Sequence, residues 1–140
     1  MADYVLAYRD QDSDPSDIVV DFYRRDAGGY AALGTEELAA VPKEVRTVNL
    51  IPEAQPQLAF FASCGMLRCL TVIRLNNDRV EKLFDYAASE IRVHEGNRPF
   101  IQAISESAKS AENFEWYPKE ERFRVTLKST AKNRSKGSTN

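Results

Sequence analysis

The nine residues Leu67-Arg68-Cys69-Leu70-Thr71-Val72-Ile73-Arg74-Leu75 constrain this chain more than any other stretch. Apolar and β-branched side chains fall on both alternating sets, and successive side chains of a strand point to opposite faces. A strand that is apolar on both sides has to be covered on both, so the run predicts a central strand. It is far shorter than the roughly 18 apolar residues that a membrane span needs, and no other run approaches that length. The chain has 140 residues, 43% hydrophobic and 29% charged. That is the composition of a globular domain rather than of a disordered segment. A chain of this size covers about two thirds of its unfolded surface and needs no disulfide or metal for a core.

Around that strand the pattern predicts an α+β domain. Residues 4–8 (YVLAY) and 18–23 (IVVDFY) read as two strands joined by a long acidic loop, DQDSDPSD, at 10–17. Thr35 reads as the N-cap of a short helix carrying Glu36 and Glu37 in its first turn and ended by Pro42. Residues 45–51 are strand-like, and 53–62 are helix-like despite Pro56. Val80, Leu83, Phe84, Ala87, Ala88 and Ile91 recur at helical spacing, which predicts a helix over 77–93. Phe100, Ile101, Ile104 and Ala108 predict a second over 98–111. Phe114 and Trp116, then Phe123, Val125 and Leu127, flank Tyr117-Pro118-Lys119-Glu120 and predict a terminal hairpin. The expected architecture is a mainly antiparallel sheet of five to six strands with the two main helices packed on one face. No internal repeat is visible at solenoid periods. Residues 1–127 form the expected domain, and 128–140 a disordered basic tail.

Charge is divided unevenly. From Arg122 to Asn140 there are six basic residues and no acidic one; taking those six from the 19 Lys+Arg leaves 13 against all 21 acids, so residues 1–121 carry −8. Positive arms meet nucleic acid or other anionic surfaces. Arg122, Arg124, Lys128, Lys132, Arg134 and Lys136 are therefore the expected nucleic-acid contacts. If Phe123 faces the core, Arg122 and Arg124 share the exposed face of one strand.

Cys64 and Cys69 stand five apart, which matches neither a CxxC redox pair nor half of a zinc ribbon. On one strand or one helix they would point apart, so the expected state is two free thiols in a reducing compartment. The N-terminus, MADYVLAYRD, does not read as a signal peptide. A cytoplasmic location is the expectation, with no membrane contact.

Catalytic and metal-binding patterns are thin. Asp10, Asp12, Asp14 and Asp21 occupy positions 1, 3, 5 and 12 of an EF-hand-type loop, but position 6 is Pro15 where the turn requires glycine. Asp10, Asp12 and Asp14 are at most weak cation ligands, and no cofactor is expected. His94, the one imidazole, lies at a predicted helix C-terminus, where the dipole favours its charged form. No GxSxG elbow, phosphate loop, RNP octamer or zinc-finger spacing is present. The sequence therefore predicts a non-enzymatic binding or assembly protein. Its domain would dock a protein partner or itself, and its arm would hold RNA or DNA without reading bases. The alternative is a small enzyme with a dispersed acidic or metal-assisted site near Asp10–Asp17 or His94.

Overall fold

The computed structural model describes residues 3–11, 14–52, 54–76 and 79–130. Among them the chain is all-β. Eleven strands follow one another: β1 (Asp3–Gln11), β2 (Asp14–Asp26), β3 (Gly29–Leu38), β4 (Glu44–Val48), β5 (Gln57–Cys64), β6 (Leu67–Asn76), β7 (Arg79–Ala88), β8 (Glu90–His94), β9 (Phe100–Ser105), β10 (Ser110–Tyr117) and β11 (Arg122–Thr130). They form three antiparallel meanders in chain order, β1-β2-β3, β4-β5-β6-β7 and β8-β9-β10-β11. The second sheet lies between the other two. One core, Ile18, Val20 and Phe22 against Phe60 and Ile73, joins the first sheet to the second. The other, Leu70, Val72 and Phe84 against Ile101 and Phe114, joins the second to the third. Four-stranded antiparallel meanders stacked face to face are also the unit from which β-propellers are built.

The central-strand expectation holds. Leu70, Thr71, Val72 and Ile73 of β6 are all buried, alternate residues facing the two cores. The terminal hairpin also forms where expected, Tyr117 pairing with Arg122 across a turn closed by Glu120 N–H donating to Tyr117 O at 3.2 Å.

The α+β expectation is overturned, because both predicted helices are strands. β7 replaces the helix at 77–93 for a physical reason visible in its register. Phe84 pairs with Val72 and Lys82 with Ile73, leaving Leu83 as the extra residue of a bulge. A bulge shifts the side-chain phase by one. Val80 consequently faces the first sheet, while Phe84 and Ala88 face the third. Apolar residues at 80, 84 and 88 would line one face of a helix; here they serve two cores. The helix at 98–111 is instead β9, a turn and the start of β10, with Lys109 N–H donating to Glu106 O at 3.1 Å and Lys109 in the left-handed region at φ 51°. Its stripe mixes Ile101, which is buried against the second sheet, with Phe100, which stacks on His94 on the other side. The short helices expected after Thr35 and over 53–62 are β3 and β5.

A repeat that residue identity does not reveal is present in the register. In the hairpins β2–β3, β6–β7 and β10–β11, four cross-strand pairs counted from the turn are followed by one extra residue in the second strand. Those residues are Leu33, Leu83 and Thr126. β3, β7 and β11 are thus equivalent, and β3 packs against β7 as β7 packs against β11. Between sheets, Lys82 donates to Glu37 O at 3.0 Å and lies 3.8 Å from the Glu36 carboxylate, holding β7 on β3. The β4–β5 connection is fixed by Gln57, which is buried; its Oε1 accepts from Leu50 N–H at 2.8 Å and its Nε2 donates to Gln55 O at 2.5 Å.

Candidate functional site

The basic strand predicted from sequence is the outward edge of the third sheet. Phe123 turns inward, 5.6 Å from the Phe84 ring and 5.3 Å from the Trp116 ring in edge-to-face geometry. Aromatic pairs favour that arrangement. With Phe123 inside, alternation puts Arg122 and Arg124 on the opposite, exposed face. The expectation that they share a face holds.

They are not unpaired cations, however. Arg122 Nε donates to Glu120 Oε1 at 2.7 Å and Arg124 Nη1 to Glu120 Oε2 at 2.9 Å. Those contacts, with the Arg122 hydrogen bond the largest cause, hold the Glu120 carboxyl below its ordinary range. The Arg124 guanidinium also sits 4.2 Å from the centroid of the Tyr117 ring. On the same face Arg98 donates to Glu115 at 2.7 Å, which lowers the Glu115 pKa and raises that of Arg98. The face therefore combines three arginines, two glutamates and an exposed tyrosine. Sequence reading named Arg122 and Arg124 but missed Glu120. Its signal was an acid two and four residues before them, at the end of the hairpin turn.

Lys128 does not join this face. The bulge at Thr126 reverses the alternation, and Lys128 pairs with Glu112, whose Oε1 accepts from the Tyr86 hydroxyl of the second sheet at 2.6 Å. Cross-strand partners share a face, so Lys128 is turned towards the second sheet. Lys132, Arg134 and Lys136 lie outside the described residues.

The two cysteines correct the sequence reading. They form a disulfide with Cα atoms 6.0 Å apart. That expectation places them on one element, whereas Gly65, left-handed at φ 65°, and Met66 reverse the chain and place them on neighbouring strands, where Cys69 pairs with Ala62, two residues before Cys64 and on the same face of β5. Cys64 consequently offers no thiol nucleophile. Beside the bridge a cleft of about 250 Å³ is lined by Lys43, Phe61, Ser63, Arg68 and Glu90 among others. Arg68 Nη1 donates to Ser63 Oγ there at 2.8 Å. The cleft is smaller than the usual small-molecule site of about 300–1,000 Å³.

His94 is on strand β8, not at a helix end. Its ring stacks on Phe100 with centroids 4.4 Å apart, and its Nε2 lies 3.2 Å from Gln102 Oε1. Among the weak cation candidates, Asp12 lies outside the described residues, as do the side chains of Asp10 and Asp14. No group of three or more His, Cys, Asp or Glu that could hold a metal occurs among the described residues. No helix in them is long and apolar enough to cross a membrane, which says nothing of a strand-built pore. Neither family models, curated proteins nor solved structures give a match to this chain.

Proposed function

We propose that this chain is a non-enzymatic binding or assembly protein. Its stacked sheets dock a protein partner or another copy, and its basic C-terminal arm holds an anionic partner such as RNA or DNA through phosphate contacts. The observation that supports the reading best is the outward face of β10 and β11. Arg122 and Arg124 project from it beside the exposed Tyr117, at the base of the segment that carries Lys128, Lys132, Arg134 and Lys136. Guanidinium groups on a rigid strand and a following cationic arm grip phosphates without reading sequence. A cytoplasmic setting belongs to this reading, and the Cys64–Cys69 bridge would then face a reducing thiol pool.

The test is fluorescence anisotropy with labelled duplex DNA and single-stranded RNA of unrelated sequences, on the full chain and on residues 1–130, which keep β11 whole, across a salt series. Duplex binding loses roughly 0.9 in the log–log salt slope for each phosphate contact removed. Lys132, Arg134 and Lys136 together should account for a slope reduction of between two and three. Binding that is insensitive to salt, or equal for the full and the shortened chain, overturns the nucleic-acid part.

A further inference from the structure

Among the described residues, the first sheet lacks a strand that the other two possess. The bulges at Leu33, Leu83 and Thr126 make β3, β7 and β11 equivalent. Counting back, β2 corresponds to β6 and β10, and β1 to β5 and β9. The second and third sheets then each begin with one more strand, β4 and β8, five residues long and antiparallel to its neighbour. Their sequences agree: Glu44-Val45-Arg46-Thr47-Val48 and Glu90-Ile91-Arg92-Val93-His94. Among the described residues, β1 has β2 on one side and no strand on the other.

A second observation, on a different sheet, marks the same place. Ile91 and Val93 of β8 point at the second sheet and pack into its core. Their counterparts Val45 and Thr47 point the same way along the stack from the second sheet, towards the position beside β1, and they are open; Val45 is 38% exposed. Val48, facing the third sheet from the same strand, is fully buried. The stack is closed where β8 exists and open where its equivalent is missing.

We propose that β1 accepts a fourth strand supplied by a partner protein: an extended segment of about five residues, antiparallel to β1, with aliphatic side chains at alternate positions and a Glu/Arg pattern like that of β4 and β8. Main-chain hydrogen bonds to the open edge give such an added strand its affinity, and pockets for alternate side chains give it specificity. Val45 and Thr47 supply the apolar wall for those side chains. Residues 131–140, AKNRSKGSTN, contain no aliphatic residue larger than alanine and do not fit. The eleven described strands already occupy their own places, so a second copy cannot give one of them without unpairing it. The proposal rests on the protein-docking part of the reading above.

The experiment uses the full chain, labelled with ¹⁵N, and a synthetic peptide with the sequence of residues 88–96, ASEIRVHEG. Saturable binding should slow amide exchange at alternate β1 residues at least tenfold and shift the Val45 and Thr47 resonances, leaving the β3, β7 and β11 edges unchanged. Of two peptides N-methylated at Ile91 or at Arg92, one should lose binding at least tenfold and the other keep it, since only alternate amides face the edge. Because the change is in the peptide, the protein's folding is not in question. No saturation at millimolar peptide, equal binding by a scrambled peptide, or protection of the other edges overturns the proposal. Concentration-dependent dimerisation that protects β1 without peptide overturns it too, by giving the edge to a second copy. Loss of peptide binding while salt-dependent nucleic-acid binding persists defeats this inference alone.

Discussion

Cys64 and Cys69 are five residues apart in sequence and bridged on neighbouring strands, with Gly65 and Met66 reversing the chain between them. The loop they close is short, and the entropy removed from the unfolded chain is correspondingly small, about 2 kcal/mol in the chain-entropy view. Replacing both by serine should lower the melting temperature by about 4–8 °C, measured by calorimetry on oxidised protein. The same protein in excess dithiothreitol should match the variant. A bridge without effect on melting would show that the hairpin is equally restrained in the unfolded chain.

Phe84 joins the second and third sheets through edge-to-face contacts with Phe114 at 5.1 Å and Phe123 at 5.6 Å. Phe84→Ala should cost about 3–5 kcal/mol and Phe84→Leu distinctly less, since the cavity term follows the volume removed. Urea midpoints at constant m-value separate the two. A loss below 1 kcal/mol for alanine would mean that this core closes around the gap.

Acid should unfold the protein in part through Glu81. The Arg74 guanidinium, donating at 2.9 Å, holds this carboxyl below the usual range despite the opposing effect of burial. A depressed folded pKa contributes stability that is complete above the unfolded value, about 4.3, and is lost as pH falls through the folded one. Glu81→Gln should therefore lower stability at pH 7 by about 1 kcal/mol and make little difference at pH 3. Tyr86, whose pKa is raised by its bond to Glu112 and by burial, works at the other end. Its contribution is complete below about pH 10 and declines as pH rises through the folded value. An unchanged Glu81→Gln deficit at pH 3 would remove ionisation as the cause.

Glu120 neutralises part of the arginine face. Glu120→Gln removes that negative charge while keeping an amide oxygen able to accept a hydrogen bond. Affinity for generic duplex DNA at low salt should rise about three- to tenfold, with the difference shrinking at high salt. Anisotropy titrations at two salt concentrations check this, and an unchanged affinity would place the contacts elsewhere.

What was legible in the sequence was set by short-range alternation. The both-sided run of β6, the strands near 4–8, 18–23 and 45–48, and the inward Phe123 with outward Arg122 and Arg124 all follow from a period of two. What was not legible came from departures from that period. Leu83 shifts the phase inside β7, so Val80 and Phe84 address different cores and the spacing imitates a helix. Thr126 does the same to Lys128, taking it off the arginine face. Cys64 and Cys69 needed the turn at Gly65 to be recognised before their separation meant anything.

The bulge positions also act as a ruler. Leu33 to Leu83 is 50 positions and Leu83 to Thr126 is 43. From the start of β5 to the start of β7, and from β9 to β11, the distance is the same 22 positions, 57 to 79 and 100 to 122. The seven-residue difference therefore falls wholly in the stretches that run from one bulge to the next β5 or β9. Within those lie the linkers 39–43 and 49–56, matched by residue 89 and 95–99. The double hairpins are the part of fixed gauge, and the slack is shared between the crossing from one sheet to the next and the first turn within each four-stranded sheet, so insertions should be tolerated at the crossings and rejected between the hairpin turn and the bulge.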